Sequence, residues 1–115
     1  MAKTTFETVQ KIAAELPGVK ANTSPRGTEL KAGGKLMACT AINKSAEPNS
    51  LMVRIDNDQR DALIADAPET YYITSHYENY PVVLVRLSRI QSDALRDLLH
   101  ASWRFVGAGK RTQKG

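Results

Sequence analysis

The chain contains a single cysteine, Cys39, among its 115 residues. One cysteine excludes a disulfide within the chain, so the fold depends on its core, and this cysteine usage fits a reducing cytoplasm. Long apolar runs are absent, since the most apolar strand, 81–87, is far too short to cross a bilayer as a helix. The polar N-terminus has no apolar signal-peptide segment. We therefore expect one domain in the cytoplasm, without contact with a membrane.

Histidines are also few, and the nucleophilic side chains are poorly spaced for catalysis. Ser75 and His76 are adjacent, so in a strand they point to opposite faces. Ser102 and His100 are two positions apart and do not face each other on a helix. The histidines and Cys39 also lack the spacing of metal ligands. We expect no enzymatic activity, no bound metal and no cofactor.

The basic excess lies mostly at the C-terminus. The formal net charge is +4, and Lys110, Arg111 and Lys114 follow the last expected helix without any acid. Without these three cations the rest of the chain has a net charge of +1. We expect a single domain over residues 1–107 and a flexible basic tail over residues 108–115. Such a tail binds polyanions weakly, or it keeps the protein soluble.

Apolar residues at helical spacing predict a helix at each end of the chain. The first begins at a threonine cap, Thr4 or Thr5, and is ended by Pro17-Gly18. Its apolar face consists of Phe6, Val9, Ile12, Ala13 and Leu16. The second begins at Ser92 and ends at Gly107. Its buried face consists of Leu95, Leu98, Leu99, Ser102, Trp103 and Val106.

The middle of the chain is predicted to consist mostly of strands. Five segments have a strand pattern: 28–31, 36–42, 51–55, 71–75 and 81–87. Gly33-Gly34 favours a tight hairpin turn between the first two, and a polar turn is expected at 22–27. Asp58 is expected to cap a short helix at 59–66. This order predicts an α+β fold, in which the two terminal helices pack on one face of an antiparallel sheet and a short helix lies between strands.

Basic residues around the first hairpin form one candidate surface. They are Arg26, Lys31 and Lys35, with Lys44 in the next loop. A hairpin that carries cations can contact the DNA backbone without reading its sequence. Alternatively, these cations keep an exposed hairpin soluble and prevent it from pairing with other strands.

The tyrosines form a second candidate surface. All four lie between positions 71 and 80, at Tyr71, Tyr72, Tyr77 and Tyr80. Aromatic rings can stack on bases or line a ligand site. The neighbouring acids Asp66, Glu69 and Glu78 would repel a phosphate backbone, however. The simpler interpretation is that half of the rings cover the core and half line a loop.

Short pieces in a specific order extend over nearly the whole chain. They are 16–19 (LPGV), 34–38 (GKLMA), 51–54 (LMVR), 67–68 (AP), 71–72 (YY), 82–87 (VVLVRL) and 98–106 (LLHASWRFV). In these pieces the chain resembles the MmcQ/YjbR family of small bacterial proteins. The resemblance implies a frataxin-like (CyaY-like) α+β fold and a cytoplasmic location. It also implies DNA binding through paired hairpin wings and no established enzymatic activity.

Together, the resemblance and the cations suggest weak, sequence-independent binding of double-stranded DNA by a monomer. The expected phosphate contacts are Arg26, Lys31, Lys35, Lys44, Arg104, Lys110 and Arg111. The alternative is a module without catalysis that binds a protein or a small molecule. That module would use the surface around Tyr72, Tyr77 and Tyr80. The sequence does not specify a protein partner.

Overall fold

The computed structural model describes residues 4–25, 27–41 and 44–112, and it describes side chains as far as Gly107. Its elements are α1 (Phe6–Ala14), β1 (Val19–Ser24), β2 (Gly27–Ala32), β3 (Lys35–Thr40), β4 (Ser50–Arg54), α2 (Asn57–Asp66), β5 (Tyr71–Tyr72), β6 (Val82–Arg86) and α3 (Ser92–Thr112). The strands form one six-stranded sheet in the order β1-β2-β3-β4-β6-β5. Every neighbouring pair is antiparallel. The predicted α+β fold class is therefore confirmed.

The first two helices begin at side chains that cap them. The Thr5 hydroxyl accepts a bond from the Thr8 N–H, and the Thr8 hydroxyl accepts one from the Thr5 N–H, which makes a reciprocal capping box. The N-cap predicted for α2, Asp58, is wrong. Asp56 caps this helix by accepting a bond of 2.9 Å from the Gln59 N–H. Asp56 has an extended backbone directly before α2, whereas Asp58 already lies in the first turn.

An edge strand, β1, replaces most of the polar turn predicted at 22–27. It pairs with β2 over its whole length, from Val19 opposite Ala32 to Ser24 opposite Gly27. Every residue of β1 after Val19 is exposed. The strand therefore lacks the apolar alternation by which strands are recognised in sequences.

The end predicted for the last helix, at Gly107, is also wrong, because α3 continues to Thr112. A glycine inside a helix costs only about 1 kcal/mol relative to alanine, so one glycine does not have to end a helix. Lys110 and Arg111 consequently occupy positions within α3. The division into a domain and a flexible tail at 108–115 stays a prediction, since residues 113–115 lie outside the described part.

The main core lies between one face of the sheet and the helices α1 and α3. Leu51 and Val53 of β4 contribute to it, together with Val83 and Val85 of β6. The helix α3 contributes the buried side chains of Leu95, Leu98, Leu99 and Val106. The predicted buried face of this helix is confirmed apart from Trp103, which is half-buried.

A bulge in β3 brings two consecutive residues into this core. Leu30 pairs with Ala38 and Lys31 with Leu36, so Met37 is an extra residue on β3. Both Met37 and Ala38 are fully buried. The hydroxyl of Ser102, buried in α3, donates a hydrogen bond of 3.0 Å to the Met37 carbonyl. This bond satisfies a carbonyl group beside the irregular part of the ladder.

A smaller cluster covers the centre of the opposite face of the sheet. Its buried members are Met52, Val82, Leu84 and Tyr77. Tyr77 comes from the segment 73–81, which we call the tyrosine loop, and this residue is 8% exposed. The strand predicted at 71–75 ends at Tyr72 because the chain then leaves the sheet to form this loop. We call the cluster of Met52, Tyr77, Val82 and Leu84 the second cluster.

Candidate functional site

Two lysines face each other directly across the first strand pair. Lys20 of β1 is the register partner of Lys31 of β2, so both side chains lie on the same face, and both are exposed. Lys35 follows the Gly33-Gly34 turn and is also exposed. The acid Glu29 lies two residues further along β2 on the same face, opposite Asn22.

The C-terminal half of α3 approaches the same end of the sheet. The Trp103 indole N–H donates to the Pro17 carbonyl at 3.0 Å. The Gly33 N–H donates to the Gly18 carbonyl at 3.2 Å, which connects the Gly33-Gly34 turn to the turn at Pro17-Gly18. Arg104, the next residue of α3, is exposed.

We call Lys20, Lys31, Lys35 and Arg104 the basic end. Within the described residues, none of the four forms an ion pair with an acid. Glu15, the acid nearest to this end along α1, is paired with Arg96 at 3.2 Å. These cations are therefore free of ion pairs within the described residues, although Glu29 on the same face reduces the local positive charge.

The other residues predicted to contact DNA do not belong to the basic end. Lys35 is the first residue of β3, a strand about 16 Å long, whereas Lys44 lies in the loop after its last residue, Thr40. Arg26 lies outside the described residues. Lys110 and Arg111 lie further along α3, beyond Arg104. The structure thus brings Lys31, Lys35 and Arg104 to one end and leaves Lys44 at the other.

Arg54 is a cation near the basic end that the sequence reasoning did not identify. Its Nη1 atom donates a bond of 3.3 Å to the Leu36 carbonyl, and its guanidinium lies 5.9 Å from the centroid of the Phe105 ring. Arg54 is half-buried at the end of β4. Only the pairing of β3 with β4 places it there, so no local sequence signal could have revealed it.

A cleft of about 430 Å³ opens beside Arg54, on the face of the sheet that carries the second cluster. It is lined by Leu36, Met52, Arg54, His76, Tyr77, Tyr80, Pro81 and Val82. The apolar side chains come from three strands, and the polar or aromatic ones come from the tyrosine loop and from Arg54. Within the described residues, Tyr80 is the only large hydrophobic side chain that is exposed, at 57%.

The backbone around Tyr80 is held although its ring is exposed. Arg60 of α2 donates from Nη1 to the carbonyls of Glu78 and Tyr80, at 3.3 Å each. The Tyr80 N–H donates to the Tyr77 carbonyl at 3.0 Å. The His76 and Tyr77 rings meet edge to face with their centroids 4.7 Å apart. These hydrogen bonds therefore position the backbone that carries Tyr80 in the folded protein.

Tyr72, the third tyrosine proposed for a ligand surface, belongs to a different group. Its hydroxyl accepts a bond of 2.8 Å from the Glu47 N–H and shares one of 2.6 Å with Ser50. The Arg86 guanidinium lies 4.2 Å from the centre of its ring and forms two bonds with the Glu47 carboxylate, at 2.9 and 2.6 Å. Tyr72 therefore connects the loop between β3 and β4 to the sheet, and it does not line the cleft.

An acidic groove lies on the helical side of the molecule. It has a volume of about 620 Å³ between α2 and α3, and both Asp66 and Asp97 line it. Burial raises the pKa of Tyr71, another lining residue, and the two aspartates raise it further. Such a groove disfavours phosphate groups.

The described residues provide little basis for other chemistry. Burial raises the pKa of the Cys39 thiol, and Glu29 raises it further, so the reactive thiolate is disfavoured. Between residues 4 and 112, leaving aside 26, 42 and 43, no three His, Cys, Asp or Glu side chains are grouped as metal ligands. None of the helices in this part of the chain is long and apolar enough to span a bilayer.

Comparison with known proteins agrees with this architecture. The family model for YjbR matches residues 14–105, which include both sides of the basic end and the whole cleft. The chain belongs to the YjbR family. The resemblance inferred from the short sequence pieces is therefore confirmed.

Relatives of this YjbR protein include uncharacterised proteins of Mycobacterium tuberculosis (Rv2570) and Mycobacterium bovis (Mb2600). Each is 34% identical over 113 residues, covering 86% of this chain and 85% of the relative.

A solved structure shares the fold of this YjbR protein. The crystal structure of Deinococcus radiodurans protein DR2400, which has a DUF419 domain, matches with a TM-score of 0.73. The match covers 90% of this chain and 79% of DR2400, at 21% identity. At this identity the likeness supports the arrangement of sheet and helices alone.

Proposed function

We propose that this YjbR protein binds double-stranded DNA at its basic end, through the phosphate backbone. The observation that carries the proposal is the direct opposition of Lys20 and Lys31, with no acid paired to either within the described residues. Like charges directly opposite each other destabilise a sheet. A phosphate group bound between them would offset this repulsion.

The proposed contacts are electrostatic and carry no sequence information. Lys20, Lys31 and Lys35 would neutralise phosphates from the hairpin, and Arg104 would do so from α3. Binding of this kind releases counterions and weakens steeply as salt is added. The acidic groove between α2 and α3 would face away from the DNA. We further propose that the protein acts as a cytoplasmic monomer without catalysis.

The test measures fluorescence anisotropy of a labelled duplex at about 50 and 200 mM salt. We expect Lys31→Gln and Lys35→Gln each to weaken binding and to reduce the slope of log affinity against log salt by about 1. Lys44→Gln removes the same charge at the other end of β3 and serves as the matched control. Equal losses in all three variants would contradict the proposal, because net charge alone would then explain binding.

A double variant separates the basic end from the C-terminal cations. Lys110→Gln with Arg111→Gln removes two charges from the last part of α3. We expect this variant to retain duplex binding that still depends on Lys31. Complete loss of binding would instead assign the interaction to the C-terminal segment.

The cleft beside Arg54 favours a second candidate function, a module that binds a small molecule or a protein. Apolar clefts of several hundred Å³ with a few polar groups are typical ligand sites. The specific observation is the exposed ring of Tyr80 on an anchored backbone. Under this alternative, Tyr80→Ala would lose the ligand and retain the fold, while binding would be nearly independent of salt.

A further inference from the structure

We propose that the cleft binds one unpaired nucleobase of a single DNA strand, with the Tyr80 ring as its stacking platform. The inference rests on the proposed function only for the phosphate contacts outside the cleft. It assigns a ligand class, a single-stranded nucleotide segment, to a site that duplex binding does not use.

The Tyr80 ring is the first observation in support. An exposed tyrosine gains little from the core, and here its backbone is held by Arg60 and by its own bond to Tyr77. Because this backbone is already ordered, binding restricts only the side-chain torsions of Tyr80, which lowers the cost of stacking. Stacking on an aromatic ring suits any base, because every base has a flat face.

The interior of the cleft is the second observation. Leu36, Met52 and Val82 line it with apolar surface, and its volume of about 430 Å³ falls in the usual range for small ligands. A planar base can bury its faces against such a surface while its edges reach the opening. Polar groups are available near the opening, from the His76 imidazole and from the Arg54 guanidinium.

Continuity with the basic end is the third observation. Leu36 lines the cleft, and its register partner on the next strand is Lys31. Arg54, which also lines the cleft, bonds to the Leu36 carbonyl and forms no ion pair within the described residues. A strand with one base in the cleft would therefore place its neighbouring phosphates near cations.

A duplex cannot use the cleft without unpairing. A base inside a duplex reaches a pocket only if it is extruded, which costs unstacking and unpairing energy. A single strand avoids this cost. The geometry therefore predicts tighter binding of a single strand than of a duplex of the same length.

The test compares labelled oligothymidine with a duplex of equal length, using the full chain and two variants. We expect Tyr80→Ala to weaken oligothymidine binding roughly 5- to 150-fold, the effect of losing one base–aromatic stack, and to leave duplex binding unchanged. Tyr80→Phe retains the ring and should bind as the parent protein does. Unchanged thermal unfolding of both variants would show that the fold is intact.

Each possible result bears on one proposal or the other. If Tyr80→Ala binds oligothymidine as tightly as the parent, the inference is overturned, whatever Lys31→Gln does to the duplex. If Tyr80→Ala loses oligothymidine binding while the parent binds no duplex, the inference holds and the duplex proposal fails. If the parent binds neither probe, both are overturned.

Discussion

At the scale of single residues, Arg86 at the end of β6 connects several parts of the molecule. It forms a two-bond ion pair with Glu47, lies over the Tyr72 ring, and donates to the carbonyls of Pro68 and Glu69 at 3.1 and 3.3 Å. The hydrogen bond from Arg86 is the main reason that the pKa of Glu47 is lowered. The same bond raises the pKa of Arg86.

This ion pair predicts a specific dependence of stability on pH. Because the pKa of Glu47 is lower in the folded protein than its ordinary value of 4.5, its charge stabilises the fold above that value. The contribution is lost as the pH falls through the lowered pKa. We expect Glu47→Gln to be less stable than the parent at about pH 7, and the difference in unfolding free energy to shrink towards about pH 3. Urea denaturation across this pH range measures the difference in unfolding free energy.

The control for this prediction is Glu78→Gln, an exposed glutamate without an ion pair in the described residues. The control should not reproduce the pH-dependent difference. A constant difference between Glu47→Gln and the parent from neutral to acidic pH would contradict the prediction.

Residues differ in how much of their role the sequence reveals. Lys31 and Lys35 could be predicted as neighbours because a glycine turn joins their strands. Lys20 could not, since its place opposite Lys31 depends on a strand whose residues are nearly all exposed. The pattern also gave no means to distinguish Tyr77 from Tyr80, because a loop has no periodicity to show which ring is buried.

At the scale of elements, the contact between α3 and the β3 bulge supports a stability prediction. Ser102→Ala removes the donor to the Met37 carbonyl in a fully buried place. Leaving a buried carbonyl without its partner costs about 1 to 3 kcal/mol. We expect the free energy of unfolding in urea to fall by that amount. The exposed Ser88→Ala is the matched control, with an effect within about 0.5 kcal/mol. Equal effects would show that the bond contributes nothing.

The elements with strong apolar patterns are those that the sequence predicted well. The strand β4 alternates into two clusters, with Leu51 and Val53 in the main core and Met52 in the second cluster. The same strength of pattern identified α1, β6 and the buried face of α3. The predictions for the edge strand β1 and for the end of α3 were wrong. Pairing with β2 in the first case, and continuation of the helix past Gly107 in the second, overrode the local residue preferences.

At the scale of the whole molecule, the two hydrophobic clusters differ in size, and this predicts unequal local stability. The second cluster is small and depends on one loop, so it can open at less cost than the main core. We expect the amides of Tyr77 and Tyr80 to exchange with solvent much faster than those of Val53 and Leu99 in a hydrogen-exchange experiment.

A substitution in the tyrosine loop tests the same prediction. Tyr77→Ala removes a buried ring from the second cluster and should accelerate exchange in the loop while leaving Leu99 slow. Tyr80→Ala is the control, since its exposed ring should leave exchange nearly unchanged. If Tyr77→Ala accelerates Val53 and Leu99 as much as the loop, the two clusters unfold as one unit.

The continuation of α3 to Thr112 has a consequence for Lys110 and Arg111. The C-terminal end of a helix carries partial negative charge, and cations in its last turn stabilise it. A polyanion that draws these two cations to itself competes with the helix for them. If the proposed duplex binding reaches these two positions, it is therefore coupled to the helicity of the end of α3.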